Sequence, residues 1–195
     1  MRFLLAFGVT LVIVTATSRV MHQKGFSMLL PILQWPDPRL TTRCAAVHTF
    51  DVALLRLAED MLATMFAANG RGLAAPQVGV LQQIFVMDSS WKTGPRSPRM
   101  FFNPRIVTSD PPGGWVAPTE TVVNEESCLS IPDRTVRIAR PAAVRLVWHD
   151  HAERDCIGDF SGFEAVCVQH EIDHLDGVLC IDHPMVAALA VGGAA

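Results

Sequence analysis

His170, Glu171 and His174 spell H-E-x-x-H inside a segment whose ends read as helix boundaries. Ser161 and Glu164 have capping-box spacing, and Gly177 can supply the left-handed residue that closes a helix. At i and i+4 the two imidazoles project from one helix face, roughly 6 Å apart along the axis, so both can reach one ion. Glu171 points beside that ion, placed to take a proton from a bound water. The bland reading is a helix with two exposed histidines and a glutamate by chance. A catalytic site needs more: a third protein ligand and an open fourth position. The fold must therefore bring a donor from elsewhere in the chain against this helix face.

Three cysteines are candidates for that donor. Cys167 shares the His170 stripe but lies seven residues from His174, roughly 10 Å of axial rise, too far for one ion with bonds of about 2 Å. It reads instead as a small hydrophobe packed beside the site. Cys180 is a sharper rival, because His170 to Cys180 reads H-E-x-x-H-x-x-G-x-x-C, the metzincin protease spacing with Cys in place of the last His. Against it, the metzincin Met-turn lies well downstream of the helix, whereas here only Met185 follows, with ten residues after it. Cys128 is the third candidate.

The remaining chain has room for one α+β domain. It has 195 residues, half of them hydrophobic, with no internal repeat. A formal charge of -3 offers no basic face on which a phosphate backbone could dominate binding, so nucleic acid is not an expected direct ligand. Five scattered cysteines fit a reduced compartment better than a disulfide scaffold. Between Asp51 and Asn69, Leu54, Leu55, Ala58, Met61, Leu62 and Met65 recur at helical spacing, and Asn69 with Gly70 gives a stop. From Gln83 to Phe160 the pattern changes to short β-rich runs, among them Ile84 to Met87, Met100 to Phe102, Thr135 to Ile138 and Val144 to Trp148. Gly94 with Pro95, Pro111 to Gly114, and Pro132 punctuate them. The connections are too short for crossover helices, so mostly antiparallel sheet is expected. Residues 1–27 are set apart as a leader or a start placed too early: Arg2 precedes an apolar run from Phe3 to about Ala16, and no acid occurs before Asp37. That run is too short for a membrane span. Residues 28–195 form the expected catalytic domain, working in the cytoplasm, or in an organelle if the leader is genuine.

Two further blocks, Gly72-Leu73-Ala74-Ala75-Pro76-Gln77 and Glu126-Ser127-Cys128-Leu129-Ser130, stand before Gln169-His170-Glu171-x-Asp173-His174. In this order the three resemble the peptide deformylase family, whose patterns are G-x-G-[LI]-A-A-x-Q, E-G-C-L-S and Q-H-E-x-D-H. Pro36-Asp37-Pro38-Arg39-Leu40 and Arg140-Pro141 add to the likeness, which runs from about Leu29 to His183. The resemblance implies α+β architecture, with mostly antiparallel sheets around a central helix carrying the metal motif. It implies Cys128, His170 and His174 as metal ligands, Glu171 as general acid and base, and Gln77 with the backbone N–H of Leu129 as holders of the oxyanion. The reaction implied is removal of the formyl group from the N-terminal methionine of nascent peptides. One divalent ion is implied, Fe(II) favoured, although one thiolate and two imidazoles also suit Zn(II), Ni(II) or Co(II).

Three positions depart from the family pattern: Arg71 between two glycines, Ser127 before the metal cysteine, and Asn124 where an apolar residue is usual. With Gly72, Arg71 and Ser127 are expected to line the substrate groove. The departures leave open a related amidase acting on another N-acyl group. A non-catalytic module that binds a peptide along a sheet edge is a second alternative, against which Glu171 and Gln77 argue. Ribosome association has no support in residues 184–195, which lack a basic helix.

Overall fold

A computed structural model describes residues 27–107 and 119–186 of the chain. Both expected helices form. α1 (Val52–Ala67) starts at Asp51, whose carboxylate accepts the Leu54 N–H at 2.8 Å, and it ends before Asn69, which adopts a left-handed φ of 58°. α2 (Gly162–Asp176) closes on Gly177 at φ 76°. Its start differs from expectation: Ser161 is the N-cap but its side chain makes no capping hydrogen bond, and the Glu164 carboxylate bonds Arg99 and Ser89 rather than reaching back to it.

Seven strands form among the described residues: β1 (Gly72–Ala74), β2 (Ile84–Met87), β3 (Arg99–Ile106), β4 (Thr121–Cys128), β5 (Ile131–Pro141), β6 (Ala143–His149) and β7 (Asp155–Ser161). β1, β2, β3, β6 and β7 build a five-stranded sheet in that spatial order, every pairing antiparallel. β4 and β5 make a separate antiparallel hairpin, with a register shift between Ser127 and Cys128. This is the α+β architecture expected. The leader and the Pro111 to Gly114 punctuation lie outside the described residues, Ser27 excepted.

β2 explains how the sheet sits between the helices. All four of its residues are buried, so its period-2 alternation serves two cores at once. Ile84 and Val86 join Leu73 and Phe102 against Leu54, Ala58, Met61 and Met65 of α1. Phe85 and Met87 join Phe101, Leu146 and Phe160 against Ala165, Val168 and Leu175 of α2. A third cluster places Leu40, Leu179 and Cys180 against Cys128, Ile131, Val136 and Ile138 of the hairpin. The hairpin is thus clamped to the end of α2, and the strand carrying Cys128 is held beside the helix carrying the histidines. No helix among the described residues is long and apolar enough to cross a membrane.

Candidate metal centre

The end of β4 and the middle of α2 bring Cys128, His170 and His174 together, with one donor atom of each lying within 4.8 Å of the others. Cys128 Sγ stands 3.2 Å from His174 Nε2, and the two imidazole rings meet edge-on with centroids 5.0 Å apart. Cys180 is buried next to Cys128 in the third cluster but is outside this donor group, as is Cys167. Burial pushes the Cys167 thiol up to about 12, and the Cys180 thiol also rises through burial. Both remain neutral hydrophobes at physiological pH.

The surroundings fit a bound cation. His170 Nδ1 lies 2.9 Å from Glu126 Oε2, which fixes the ring and turns its other nitrogen toward Cys128. Glu126 is gripped in turn by Arg140, whose Nη2 reaches Oε2 at 2.9 Å, and Arg140 Nη1 bonds Asp173 Oδ2 at 2.8 Å. Burial alone would raise Glu126, but the bonds from His170 and Arg140 outweigh it and hold the carboxyl at about 2. Burial also disfavours charge on both imidazoles. His174 accordingly falls well below its ordinary value, whereas hydrogen bonds to Cys128 and Glu126 reverse the sign for His170 and raise it well above. A pocket that draws positive charge onto an imidazole beside a thiol is suited to a divalent cation in the proton's place. The donor set, one sulfur and two nitrogens, suits such an ion.

Glu171 is the second buried feature. It is 5 % exposed, and its Oε2 has no hydrogen-bond partner among the described residues. Burial pushes its carboxyl up to about 7. A Cβ at Gly72 would collide with the Glu171 carboxylate, so the glycine leaves the room in which that carboxylate lies. Gln77 occupies a short 3-10 turn (Ala75–Val78), with its Oε1 accepting the Ala74 N–H at 2.8 Å. That bond turns its Nε2 toward Ser130 Oγ at 3.2 Å and Cys128 Sγ at 3.6 Å.

These residues open into one cavity of about 480 Å³, where Gly72, Gln77, Ser127, Cys128, Leu129, His170 and Glu171 all contribute to the wall. Arg71 lines it too, its guanidinium 5.0 Å above the Phe163 ring. Every expected site residue therefore lines the cavity except His174, which is buried and meets Cys128 and His170 through its donor atom. Ser127 needs no glycine-only backbone, and its hydroxyl meets Thr135 Oγ1 at 2.9 Å across the hairpin. Sequence reasoning missed Glu126 as the carboxylate that orients His170. Its signal was spacing: residues i and i+2 of a strand share a face, and a ligand histidine needs an outer acceptor.

Residues 29–188 match the family described as polypeptide deformylase. The peptide deformylase of Rhizobium meliloti is 41% identical over 153 residues, covering 78% of this chain and 83% of that protein. The crystal structure of the Thermotoga maritima peptide deformylase superposes with a TM-score of 0.71 at 37% identity, over 81% of this chain and 99% of that one. A Met-Ala-Ser-bound class I type b peptide deformylase from Acinetobacter baumannii gives 0.72 at 30% identity, over 81% and 99%.

Proposed function

The chain belongs to the polypeptide deformylase family, metal-dependent hydrolases that remove the N-formyl group from nascent peptides, and from that premise we propose how its own residues carry the reaction. Cys128, His170 and His174 hold the ion, and the convergence of their three donor atoms is the observation that carries this assignment. A divalent cation there supplies Lewis acidity, lowering the pKa of water and polarising a carbonyl. Fe(II) is the working ion proposed, and the same donors accept Zn(II), Ni(II) or Co(II).

Glu171 accepts the proton of the attacking water and returns it to the leaving amine. Its unpartnered oxygen and raised affinity for a proton suit both halves of that task. Gln77 Nε2 and the Leu129 N–H hold the oxyanion, and the bond from Ala74 keeps the Gln77 amide correctly turned before substrate arrives. The substrate is a formyl-methionyl peptide, lying along Gly72 and Arg71 on one side and Ser127 on the other. Support comes from the bound Met-Ala-Ser of the Acinetobacter enzyme, which has the sequence that deformylation of formyl-Met-Ala-Ser would leave.

Metal content by mass spectrometry tests the ligand assignment. Cys128→Ala is expected to lose the ion, while Cys167→Ala and Cys180→Ala retain most of it. Full occupancy in Cys128→Ala would overturn the site.

We assign residues 28–195 to the catalytic unit and residues 1–27 to a segment outside it. The Met28 N–H donates to Asp60 Oδ1 at 2.7 Å and the Leu30 N–H to Thr64 Oγ1 at 2.9 Å, so the chain is docked on α1 from residue 28 onward. Deleting residues 1–27 is expected to leave the melting temperature within a few degrees, and a deletion protein that fails to fold would refute the boundary. We place the reaction in the cytoplasm, or in an organelle if residues 1–27 address one. All five cysteines are free thiols, in keeping with a reducing compartment.

A further inference from the structure

The reaction itself fixes what stands next to Glu171. A carboxylate that returns a proton to the leaving amine lies within about 3 Å of that nitrogen, and the substrate's first side chain springs from the next carbon. That side chain therefore meets the cavity wall around Glu171. On one side is Gly72, which lies against the carboxylate, followed by its neighbour Arg71. On the other are Val166 and Cys167, about one turn back along α2. Burial pushes the Cys167 thiol up, and after burial the Glu171 charge raises it while the Arg71 charge lowers it, so both charges act on this one side chain. The Arg71 guanidinium lies 5.0 Å above the ring of Phe163, one turn further back. An extended side chain carries its δ atom about 5 Å from the amine nitrogen, which brings it within reach of that guanidinium.

A thioether would be suited by an apolar wall, and this wall carries unused donors. Arg71 donates through Nη1 to the Ser89 carbonyl and forms no ion pair with a carboxylate of the described residues, which leaves Nε and Nη2 for a ligand. Nearby acids are engaged: Glu126 with Arg140, and Glu164 with Arg99. Asn124 adds a second donor. It lies two residues before Glu126 on the same face of β4, and its Nδ2 is buried without a hydrogen-bond partner among the described residues. Glu125 and Glu126, which follow it, both line the cavity. A buried N–H left without an acceptor is costly, and an oxygen of the substrate would remove that cost. We propose that Arg71, with Asn124, makes this pocket select a first residue whose side chain carries an oxygen on its δ atom. Methionine sulfoxide has that chemistry at the length of methionine, and glutamine and glutamate share it. The proposal rests on the deformylase reading above and names the first side chain that this chain takes best within it.

The test measures kcat/KM for formate release by the metal-loaded full chain on formyl-X-Ala-Ser-amide. X is methionine, either epimer of its sulfoxide, glutamine, glutamate, or norleucine, which has the shape of methionine without sulfur or oxygen. A hydrogen bond from a cationic donor is worth a preference of about tenfold or more. The sulfoxide and glutamine peptides are therefore expected to exceed norleucine by at least about tenfold in the parent. Arg71→Leu should reverse that order, and Asn124→Leu should lessen it. Ratios within each variant are unaffected by any general loss of activity, and the ratios of the parent stand even if a variant fails to fold. A gain for the sulfoxide alone, or for glutamine alone, upholds the pocket and tells which of the two fits it. Norleucine equal to or above both in the parent overturns the pocket while leaving deformylation standing. So does a gain confined to glutamate, which reports charge and not the δ oxygen, and so does an order unchanged in Arg71→Leu. No formate from any peptide overturns the deformylase reading and the pocket with it.

Discussion

Glu171→Gln lowers kcat for formate release by about a hundredfold to ten-thousandfold, the range for loss of general acid-base catalysis, and leaves the metal content unchanged. That range corresponds to roughly 3–5 kcal/mol of barrier. Gln preserves the shape of the side chain and the close contact with Gly72, so the loss reports the proton and not the packing. Burial has already brought the carboxyl to about 7, close to the point where one group can both take and give a proton at neutral pH. The sign of the pH dependence follows. The parent needs Glu171 ionised, so kcat/KM rises with pH through its pKa. A nearby cation favours the charged form, which places this acid limb below 7. In Glu171→Gln the limb should vanish. Turnover near that of the parent, with the limb retained, would remove Glu171 from the mechanism.

Arg140→Met is the second large effect and acts on the fold. Arg140 is 4 % exposed and clasps Glu126, itself 5 % exposed, while reaching Asp173. Removing the guanidinium leaves a buried carboxylate without its main counter-charge, a loss of about 3–5 kcal/mol. Chemical denaturation at pH 7 reads it. The native Glu126 carboxyl is depressed to about 2, so its contribution is present above the ordinary carboxylate pKa and disappears as pH falls toward 2. Arg140→Met should lose that contribution already at neutral pH, and Arg140→Lys should recover part of it. Because Glu126 also orients His170, metal affinity should fall, by about ten- to a hundredfold for a disturbed outer partner. A change under about 1 kcal/mol would show that the network contributes little to stability.

The chemistry was legible in the sequence where it is local. The spacing of His170, Glu171 and His174 demands one helix face, and Gly177 ends that helix as its backbone freedom suggests. Cys128 is 42 residues upstream of His170, a separation that local spacing cannot bridge. Periodicity left Cys180 open as an alternative, and only the likeness of three blocks to a family favoured Cys128. In the fold both cysteines share one apolar cluster, yet Cys128 alone joins the histidine donors. Ser161 and Glu164 looked like a capping box because that pattern is local too, but Arg99, 65 residues away, takes the Glu164 carboxylate. β4 escaped the search for apolar runs because Glu125 and Ser127 face solvent. β1 was too short to leave a pattern, although Leu73 and Ala74 are fully buried within it.

X-ray absorption at the metal edge of the zinc-loaded protein tests the central claim most directly, by counting the sulfurs around the ion. One sulfur at about 2.3 Å and two imidazole nitrogens at about 2.0–2.1 Å are predicted. The sulfur shell should be unchanged in Cys180→Ala and absent from whatever metal Cys128→Ala retains. Two sulfurs in the parent, or a sulfur shell that survives Cys128→Ala and is lost with Cys180→Ala, would contradict the centre described above.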